Sequence, residues 1–362
     1  MKALFLAIFG MLTTMVLAGP DVNVVRVPNG GLSPQAKIDR WDTLHLIFAT
    51  GDKMQAKLHY EVSHDFGKNF VGWVPITETC IIRGNVRGPQ FFVTYDGQPH
   101  FAWMKSSREF LHTRLTQTGS LNTEQNLIKE HADIDGGGTI VSGPDGVIYA
   151  VWHAPQRAGD PAESSRKVWV ARSTDNGNTF EPATTGNAPE RGACACCAVS
   201  ALATAENLLV IYRCATDRVH RDMHLLTFDH DLKCEKDETL ATLEANKCVM
   251  STASFAGVGQ DLYVAFETGS NIKINKVGSV SSLEMPGQGV NRKHPRLAMG
   301  KDGVILVAWT ENTSFNQGGK VVYQFVTPDL KALDEPMTLE GLPAYSVPAV
   351  VAKADGSFII LY

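Results

Sequence analysis

One short pattern recurs along the whole chain, and it constrains the fold more than any other feature of the sequence. Each copy is a short alternating segment, a turn that is often Asp-Gly, and a second alternating segment. Alternation of apolar and polar residues on both sides of such a turn is typical of a β-hairpin. A third alternating segment usually follows, as in KLHYEVS and KVWVARS. The copies begin at Ser33, Gly88, Gly137, Cys197, Met250, His294 and Val347.

The spacing of the copies predicts the architecture. Successive copies are roughly 40 to 60 residues apart, which is the range of propeller blades. In a propeller each small sheet packs against its neighbours, so no blade has to be stable alone. We therefore predict an all-β propeller of seven four-stranded antiparallel blades, or six if the first or last copy is not a blade. The last copy ends at Tyr362 without a third strand, and the segment DVNVVRVP near the start of the chain is predicted to complete it.

The first eighteen residues have the pattern of a secretory signal peptide. Lys2 is followed by an apolar run from Ala3 to Leu17, and Val16 and Ala18 occupy the small-residue positions of a cleavage site. The run is short for a bilayer span, and no other run is long enough. We predict cleavage near Ala18, a single propeller domain over residues 19–362, and a secreted or periplasmic location.

Charge and composition exclude several classes of partner. The chain has 33 Lys and Arg against 38 Asp and Glu, a formal net charge of −5, and its basic residues are scattered. A protein that binds nucleic acid usually has a concentrated basic surface. We therefore expect no nucleic-acid partner and no insertion into a membrane. The expected ligand is a small molecule or a glycan, and the sequence does not indicate an oligomeric state.

Two copies carry a sharper motif after the third strand. Ser63–Phe70 (SHDFGKNF) and Ser173–Phe180 (STDNGNTF) share Ser-x-Asp-x-Gly-x-x-Phe. In such a turn Ser and Asp can bond the backbone, Gly accepts a positive φ, and the aromatic ring packs between sheets. Asp65 and Asp175 are therefore interpreted as turn residues rather than catalytic acids. The motif resembles the Asp-box, or BNR repeat, of the sialidase-like propellers of the neuraminidase superfamily.

Other segments extend this resemblance over nearly the whole chain after residue 18. The series RGP, DGGG, WHA, CxCC, YRxAT, VHRDM, CxMS, KHP and AWTE resembles a subgroup of secreted bacterial sialidase-like proteins with a CxCC motif. The resemblance implies a sialidase-like propeller, but a shared fold does not by itself imply sialidase activity. If the protein is an enzyme, the resemblance favours a glycoside hydrolase of the exo-sialidase type.

Propeller geometry gathers the candidate site residues. The starts of the first strands and the ends of the second strands meet on one face, at the mouth of the central channel, where ligands of this architecture bind. Polar and aromatic side chains occupy these positions in nearly every blade. The candidate ligand-binding residues are Arg87, His153, Arg213, Arg221, Lys293, His294 and Trp309, and the candidate catalytic residues are Glu267, Glu311, Tyr345 and Asp135.

These residue types suit an anionic carbohydrate. Arginine can grip a carboxylate or sulfate in a bidentate manner, and Trp309 could stack on a sugar ring. Glu267 or Glu311 could act as an acid or base, and Tyr345 as a nucleophile, a role that tyrosine has in sialidases. We therefore expect an exported propeller that binds an anionic carbohydrate, with hydrolysis as a further option. This function requires no cofactor.

The cysteines leave an alternative open. Cys194, Cys196 and Cys197 precede one predicted blade, while Cys248 and Met250 precede the next, so that adjacent blades bring them together. With His153 or His294 they could bind copper, or zinc if only Cys and His take part, in a periplasmic metal-binding propeller. A disulfide between Cys248 and one of the other three is the default in an exported protein. A third alternative is a non-catalytic structural or interaction scaffold.

Overall fold

The computed structural model describes residues 19–217, 219–287 and 289–362, and the predicted signal peptide lies outside them. Seven small sheets account for the strands of these ranges. Blade 1 contains β2 (Leu32–Ile38), β3 (Leu44–Asp52), β4 (Gln55–Ser63) and β5 (Val71–Cys80). Blade 2 contains β6 (Gln90–Val93), β7 (Pro99–Ser106), β8 (Glu109–Arg114) and β9 (Gln125–Asn126).

The next three blades repeat this plan. Blade 3 contains β10 (Thr139–Ser142), β11 (Ile148–Pro155), β12 (Arg166–Ser173) and β13 (Thr184–Thr185). Blade 4 contains β14 (Ser200–Ala203), β15 (Leu208–Arg213), β16 (Met223–Phe228) and β17 (Cys234–Ala241). Blade 5 contains β18 (Ser254–Val258), β19 (Asp261–Thr268), β20 (Asn271–Lys276) and β21 (Ser282–Glu284).

The last two blades close the ring. Blade 6 contains β22 (Lys293–Met299), β23 (Ile305–Glu311), β24 (Gly319–Val326) and β25 (Met337–Leu342). Blade 7 contains β26 (Ala349–Ala352), β27 (Phe358–Leu361) and β1 (Val22–Val25). Two short 3₁₀ helices, Pro28–Gly30 and Glu163–Ser165, lie in loops. The innermost strand of each blade contacts those of both neighbours, which makes a closed ring of seven.

Blade 7 confirms the predicted closure and corrects one detail. The segment at the start of the chain does complete the last blade, and the blade count is seven. The blade has three strands, however, and β1 pairs with β27 in parallel rather than antiparallel. The reason is directional: β1 leads into the first strand of blade 1, so it must end on the same face as β27.

Separate apolar clusters fill the interfaces between adjacent blades. Blades 3 and 4, for example, share a cluster that includes Val151, Val170, Val210 and Tyr212. The largest side chains of the core stand at the ends of second strands, where Trp103, Trp152 and Trp309 are less than 2% exposed. Burying aromatic rings here stabilises each blade against the next. No helix within the described ranges is long and apolar enough to cross a membrane.

The two turns with the shared motif have the predicted geometry. Ser63 Oγ donates to the Asp65 carboxylate over 2.8 Å, and the N–H groups of Gly67 and Asn69 donate to Ser63 Oγ and Asp65 Oδ1, each over 2.8 Å. Ser173, Asp175, Gly177 and Thr179 repeat this network. Both aspartates are therefore used inside their own turns, as expected from the sequence.

The loop between blades 1 and 2 reaches across the mouth of the channel. A Cβ on Gly84 would lie 2.7 Å from Met250 Cε of the segment before blade 5 and 3.0 Å from the Phe315 ring of blade 6. Gly84 also has a φ of +82°, so this crossing requires glycine. Beneath the loop the channel holds a cavity of about 340 Å³, lined by first-strand residues such as Gln35, Gln90 and Arg296.

Candidate functional site

The mouth of the channel contains an open cavity beside the crossing loop, lined by both charged and apolar side chains. The cavity has a volume of about 370 Å³, and its walls include Arg83, Arg87, Asp135 and Phe315. Arg87 forms an ion pair with Asp135 and donates from Nη1 to the Arg83 carbonyl over 2.8 Å. The Arg83 guanidinium is exposed and lies 4.7 Å from the centre of the Phe315 ring. Two cations, one carboxylate and an aromatic ring therefore converge on one opening.

Two of these residues were absent from the sequence-based set. Arg83 stands four positions before Arg87, in a loop whose path across the mouth could not be foreseen from local pattern. Phe315 belongs to the loop between β23 and β24, after the AWTE segment. The repeated Arg-Gly of RGNVRG was the available signal for Arg83. For Phe315 the signal was a long connection at the end of a second strand, on the face where ligands bind.

Arg213 and Glu267 meet, but inside the protein. Arg213 Nη2 donates to Glu267 Oε2 over 2.8 Å and to the Glu267 carbonyl over 2.5 Å, and Nη1 donates to the Arg221 carbonyl over 2.8 Å. The N–H of Ser270 donates to the other carboxylate oxygen over 2.7 Å. The two side chains are only 2% and 3% exposed. This pair joins blades 4 and 5, and although Glu267 belongs to the wall of a cavity, both groups are held in bonds within the protein.

Glu311 is buried in a second ionic group, in blade 6. Its carboxylate accepts the indole N–H of Trp309 over 3.0 Å and lies within 3.5 Å of Arg292 Nε and 3.6 Å of Lys320 Nζ. The backbone of Gly289 covers it so closely that a Cβ there would lie 2.0 Å from Oε2. Trp309 is fully buried, so its ring offers no stacking surface. The placement of Glu311 and Trp309 thus differs from the expected open site.

The remaining predicted residues are distributed around the same face. His153 is buried, with Nε2 donating to the Cys197 carbonyl over 2.8 Å, and burial lowers its pKa to about 3. His294 is buried at the start of blade 6. Arg221 pairs with Glu163 over 2.7 Å and is also buried. Lys293 donates to the Val249 carbonyl and borders a second cavity, of about 470 Å³, beside Cys248.

Tyr345 lies on this face but lacks the partner that a nucleophile needs. Its ring is half-buried and stands 5.4 Å from Lys53 Nζ, and its carbonyl accepts a hydrogen bond from Ser33 Oγ over 2.7 Å. Among the hydrogen bonds of the described residues, none joins the Tyr345 hydroxyl to a carboxylate. Of the four predicted catalytic residues, Asp135 is the carboxylate that reaches the open cavity, with 45% of its side chain exposed.

The cysteines cluster at the starts of blades 4 and 5. Cys196 and Cys248 form a disulfide, which agrees with the expected cross-link between adjacent blades. Cys194 Sγ lies 3.5 Å from Cys196 Sγ and 3.7 Å from Cys197 Sγ. The hydrogen bond from Cys194 and the charge of Arg213 lower the pKa of Cys197 to about 6, while sharing that bond raises the pKa of Cys194. Met250 packs against this cluster.

Solved structures of other proteins have a similar fold. Neither a protein-family model nor a curated protein matches the sequence. Solved structures do match, among them the Hadza microbial sialidase Hz136, with 14% identity over 79% of this chain and 64% of that one, at a TM-score of 0.50. The α-L-arabinanase of Penicillium chrysogenum has 12% identity over 84% of this chain and 95% of its own, at a TM-score of 0.52.

A polysaccharide lyase also has a similar fold. The PL25 ulvan lyase has 12% identity over 92% of this chain and 87% of its own, at a TM-score of 0.52. At these identities the likeness shows the fold alone. The chain is therefore a seven-bladed β-propeller whose fold is similar to those of the sialidase and the arabinanase. Three proteins that share this architecture are described as acting on glycans, although their activities differ.

Proposed function

We propose that this protein binds an anionic carbohydrate in the open cavity at the mouth of its channel. The observation that carries the proposal is the convergence of Arg83, Arg87 and the Phe315 ring on one opening of about 370 Å³. Guanidinium groups suit a carboxylate or sulfate, and an aromatic ring suits the apolar face of a sugar. Export, which residues 1–18 predict, is part of the proposal and would bring the site to glycans outside the cytoplasm.

The proposal is for binding without hydrolysis by the predicted acids. Glycoside hydrolysis generally uses two carboxyl groups that flank the scissile bond. Glu267 and Glu311 are both about 2% exposed and are held in ion pairs. Asp135 reaches the cavity, but it is paired with Arg87. A ligand carboxylate or sulfate could share Arg87 with Asp135 and take the exposed Arg83 as its second cation.

A glycan binding assay tests this proposal. Purified protein is screened against uronic-acid, sulfated and sialylated oligosaccharides and against neutral counterparts, by calorimetry and by analysis of released products. We expect an anionic member to bind and to remain intact. Arg83→Ala should weaken that binding about tenfold or more, since a hydrogen bond to a charged group contributes about 1.5 to 3 kcal/mol.

The matched control removes the same charge elsewhere. Lys57→Ala deletes an exposed cation of blade 1 that pairs with Glu78 over 3.1 Å. Its affinity should equal that of the unmodified protein. Equal affinities of Arg83→Ala and Lys57→Ala, or the failure of every anionic glycan to bind, would contradict the proposal. Release of a sugar product would contradict the statement that the site binds without hydrolysis.

A further inference from the structure

Three cysteines before blade 4 bring their sulfur atoms within 4.8 Å of one another, and a disulfide joins one of them to Cys248 before blade 5. Cys194 Sγ lies 3.5 Å from Cys196 Sγ and 3.7 Å from Cys197 Sγ, and the disulfide links Cys196 to Cys248. A tetrahedral thiolate site with metal–sulfur bonds of about 2.3 Å requires sulfur atoms about 3.8 Å apart. The two sulfur–sulfur distances from Cys194 are close to the edge length of such a tetrahedron. Among the described cysteines, only Cys196 and Cys248 are cross-linked.

The environment of the sulfurs is closed on one side and open on the other. Cys194, Cys196 and Cys197 are 1%, 8% and 3% exposed and pack with Ala215 and Val249. Cys248, by contrast, is exposed and borders the cavity of about 470 Å³. An ion could therefore reach the buried sulfurs from solvent along Cys248, and then lie beside the buried side chains of Ala215 and Val249.

A buried cation next to the sulfurs has free donors. Arg221 is 6% exposed, and its Nη2 pairs with Glu163, but Nε and Nη1 have no hydrogen-bond partner among the described residues. Arg221 lies near enough to Cys194 and Cys197 to interact with their charges. Buried donors without partners are costly. Negative charge on Cys194 or Cys197 would be stabilised by this guanidinium.

His153, a neighbouring histidine, is used elsewhere. His153 Nε2 donates to the Cys197 carbonyl, so that nitrogen carries a proton and has no lone pair for a metal. Its Nδ1 lies 3.4 Å from the Arg166 guanidinium. Sulfur is therefore the donor atom that this place offers. Thiolate ligands select soft ions such as Cu(I), and zinc where the geometry is tetrahedral.

We propose that Cys194, Cys196, Cys197 and Cys248 together bind one thiophilic ion with a filled d shell, Cu(I) or Zn²⁺, and that the Cys196–Cys248 disulfide is the oxidised, metal-free form of the same site. A dithiol would convert one form to the other: the Cys196–Cys248 bond takes up two electrons and two protons, and the dithiol becomes a disulfide. The ion then replaces thiol protons, which leave to solvent. This site does not depend on the carbohydrate function.

Metal titration of the reduced protein tests the inference. The full protein is reduced with a phosphine under anaerobic conditions, freed of reductant, and titrated with Zn²⁺ or Cu(I) in competition with a chromogenic chelator. We expect one equivalent of ion per chain, with thiolate-to-copper absorption in the near ultraviolet for Cu(I). The unreduced protein should bind more than about 100-fold more weakly, because changes outside the ligand set alone cost about 10- to 100-fold.

Three variants identify the ligands. Cys194→Ser with Cys197→Ser should lose more than about 100-fold in affinity for either ion. Cys234→Ser, in β17 of the same blade, is the matched control and should bind normally. If the double variant does not fold, Cys248→Ser changes an exposed position and is expected to weaken Zn²⁺ binding. The inference is overturned if the reduced protein retains neither ion, or if the cluster variants bind as well as Cys234→Ser.

Discussion

Two arginine–carboxylate pairs lie on the same face of the propeller, and their different burial distinguishes a candidate ligand site from a structural ion pair. Arg87 and Asp135 are 13% and 45% exposed, whereas Arg213 and Glu267 are 2% and 3% exposed. In sequence both pairs have the same chemistry, and both bridge adjacent blades. In the structure both pairs border a cavity, but the first pair is accessible to solvent, whereas the second is almost completely buried although Glu267 belongs to the wall of the cavity beside Cys248.

The two pairs differ in what their surroundings allow: a ligand site beside blades 2 and 3, and structural ion pairing between blades 4 and 5. Around blades 2 and 3, charged groups remain in contact with solvent and can exchange one partner for a ligand. Around Arg213 and Glu267, the same types of group have their hydrogen bonds satisfied by the protein itself, including the N–H of Ser270 and the carbonyl of Arg221. Exposed ion pairs contribute little to stability, whereas breaking a buried pair is costly.

The largest effect is expected at the buried pair. Glu267→Gln removes the charge that balances Arg213 and places an amide N–H group opposite donors, either Ser270 N–H or Arg213 Nη2. Leaving a buried charge without its partner typically costs about 3 to 5 kcal/mol. We therefore expect the free energy of unfolding, measured by urea denaturation at pH 7, to fall by about that amount. Glu78→Gln, at an exposed pair of blade 1, is the control.

A second comparison, between the buried histidines of blades 4 and 2, predicts opposite pH dependences. Burial favours the neutral form of His224, yet hydrogen bonds to Asp237 and Cys214 and the charge of Asp237 raise its pKa to about 9. A raised folded-state pKa stabilises the protein fully below the ordinary value of 6.5, and this stabilisation is lost as the pH rises through 9. The stability lost by His224→Gln should therefore be up to about 3 kcal/mol greater at pH 6 than at pH 10.

Blade 2 supplies the control for this prediction. His100 Nδ1 lies 3.1 Å from His112 Nε2, and burial lowers the pKa of these histidines to about 3 and about 4. A lowered histidine pKa stabilises the protein above 6.5 and loses that contribution as the pH falls. His112→Gln should consequently become less harmful as the pH drops from 7 to 5. Urea denaturation of His224→Gln between pH 6 and 10 and of His112→Gln between pH 5 and 7 would refute the contrast if the two slopes had the same sign.

The sequence predicted the seven blades and the closure of the ring because hairpins and turns have local sequence patterns. Hairpin alternation and turn residues fix where a blade begins, and the clasp from the start of the chain follows from a missing strand. The burial of Glu311 depends on the loop between blades 5 and 6, which covers its carboxylate through Gly289. Arg83 and Phe315 meet because Gly84 lets one loop cross the mouth. Such long-range coverage has no local pattern.

The smallest effect on stability is expected at the Arg87–Asp135 pair, and a variant there distinguishes the two ion pairs most clearly. Asp135→Asn makes the same change as Glu267→Gln, from a carboxylate to an amide, but Arg87 keeps water and the Arg83 carbonyl as partners. The free energy of unfolding should fall by no more than about 1 kcal/mol. Affinity for an anionic glycan should not fall and should rise modestly, because a competing negative charge is removed beside the ligand. Calorimetry and urea denaturation of the two variants in parallel measure both quantities. If Asp135→Asn lost as much stability as Glu267→Gln, the Arg87–Asp135 pair would also be a structural ion pair, and the cavity beside it would not be a ligand site.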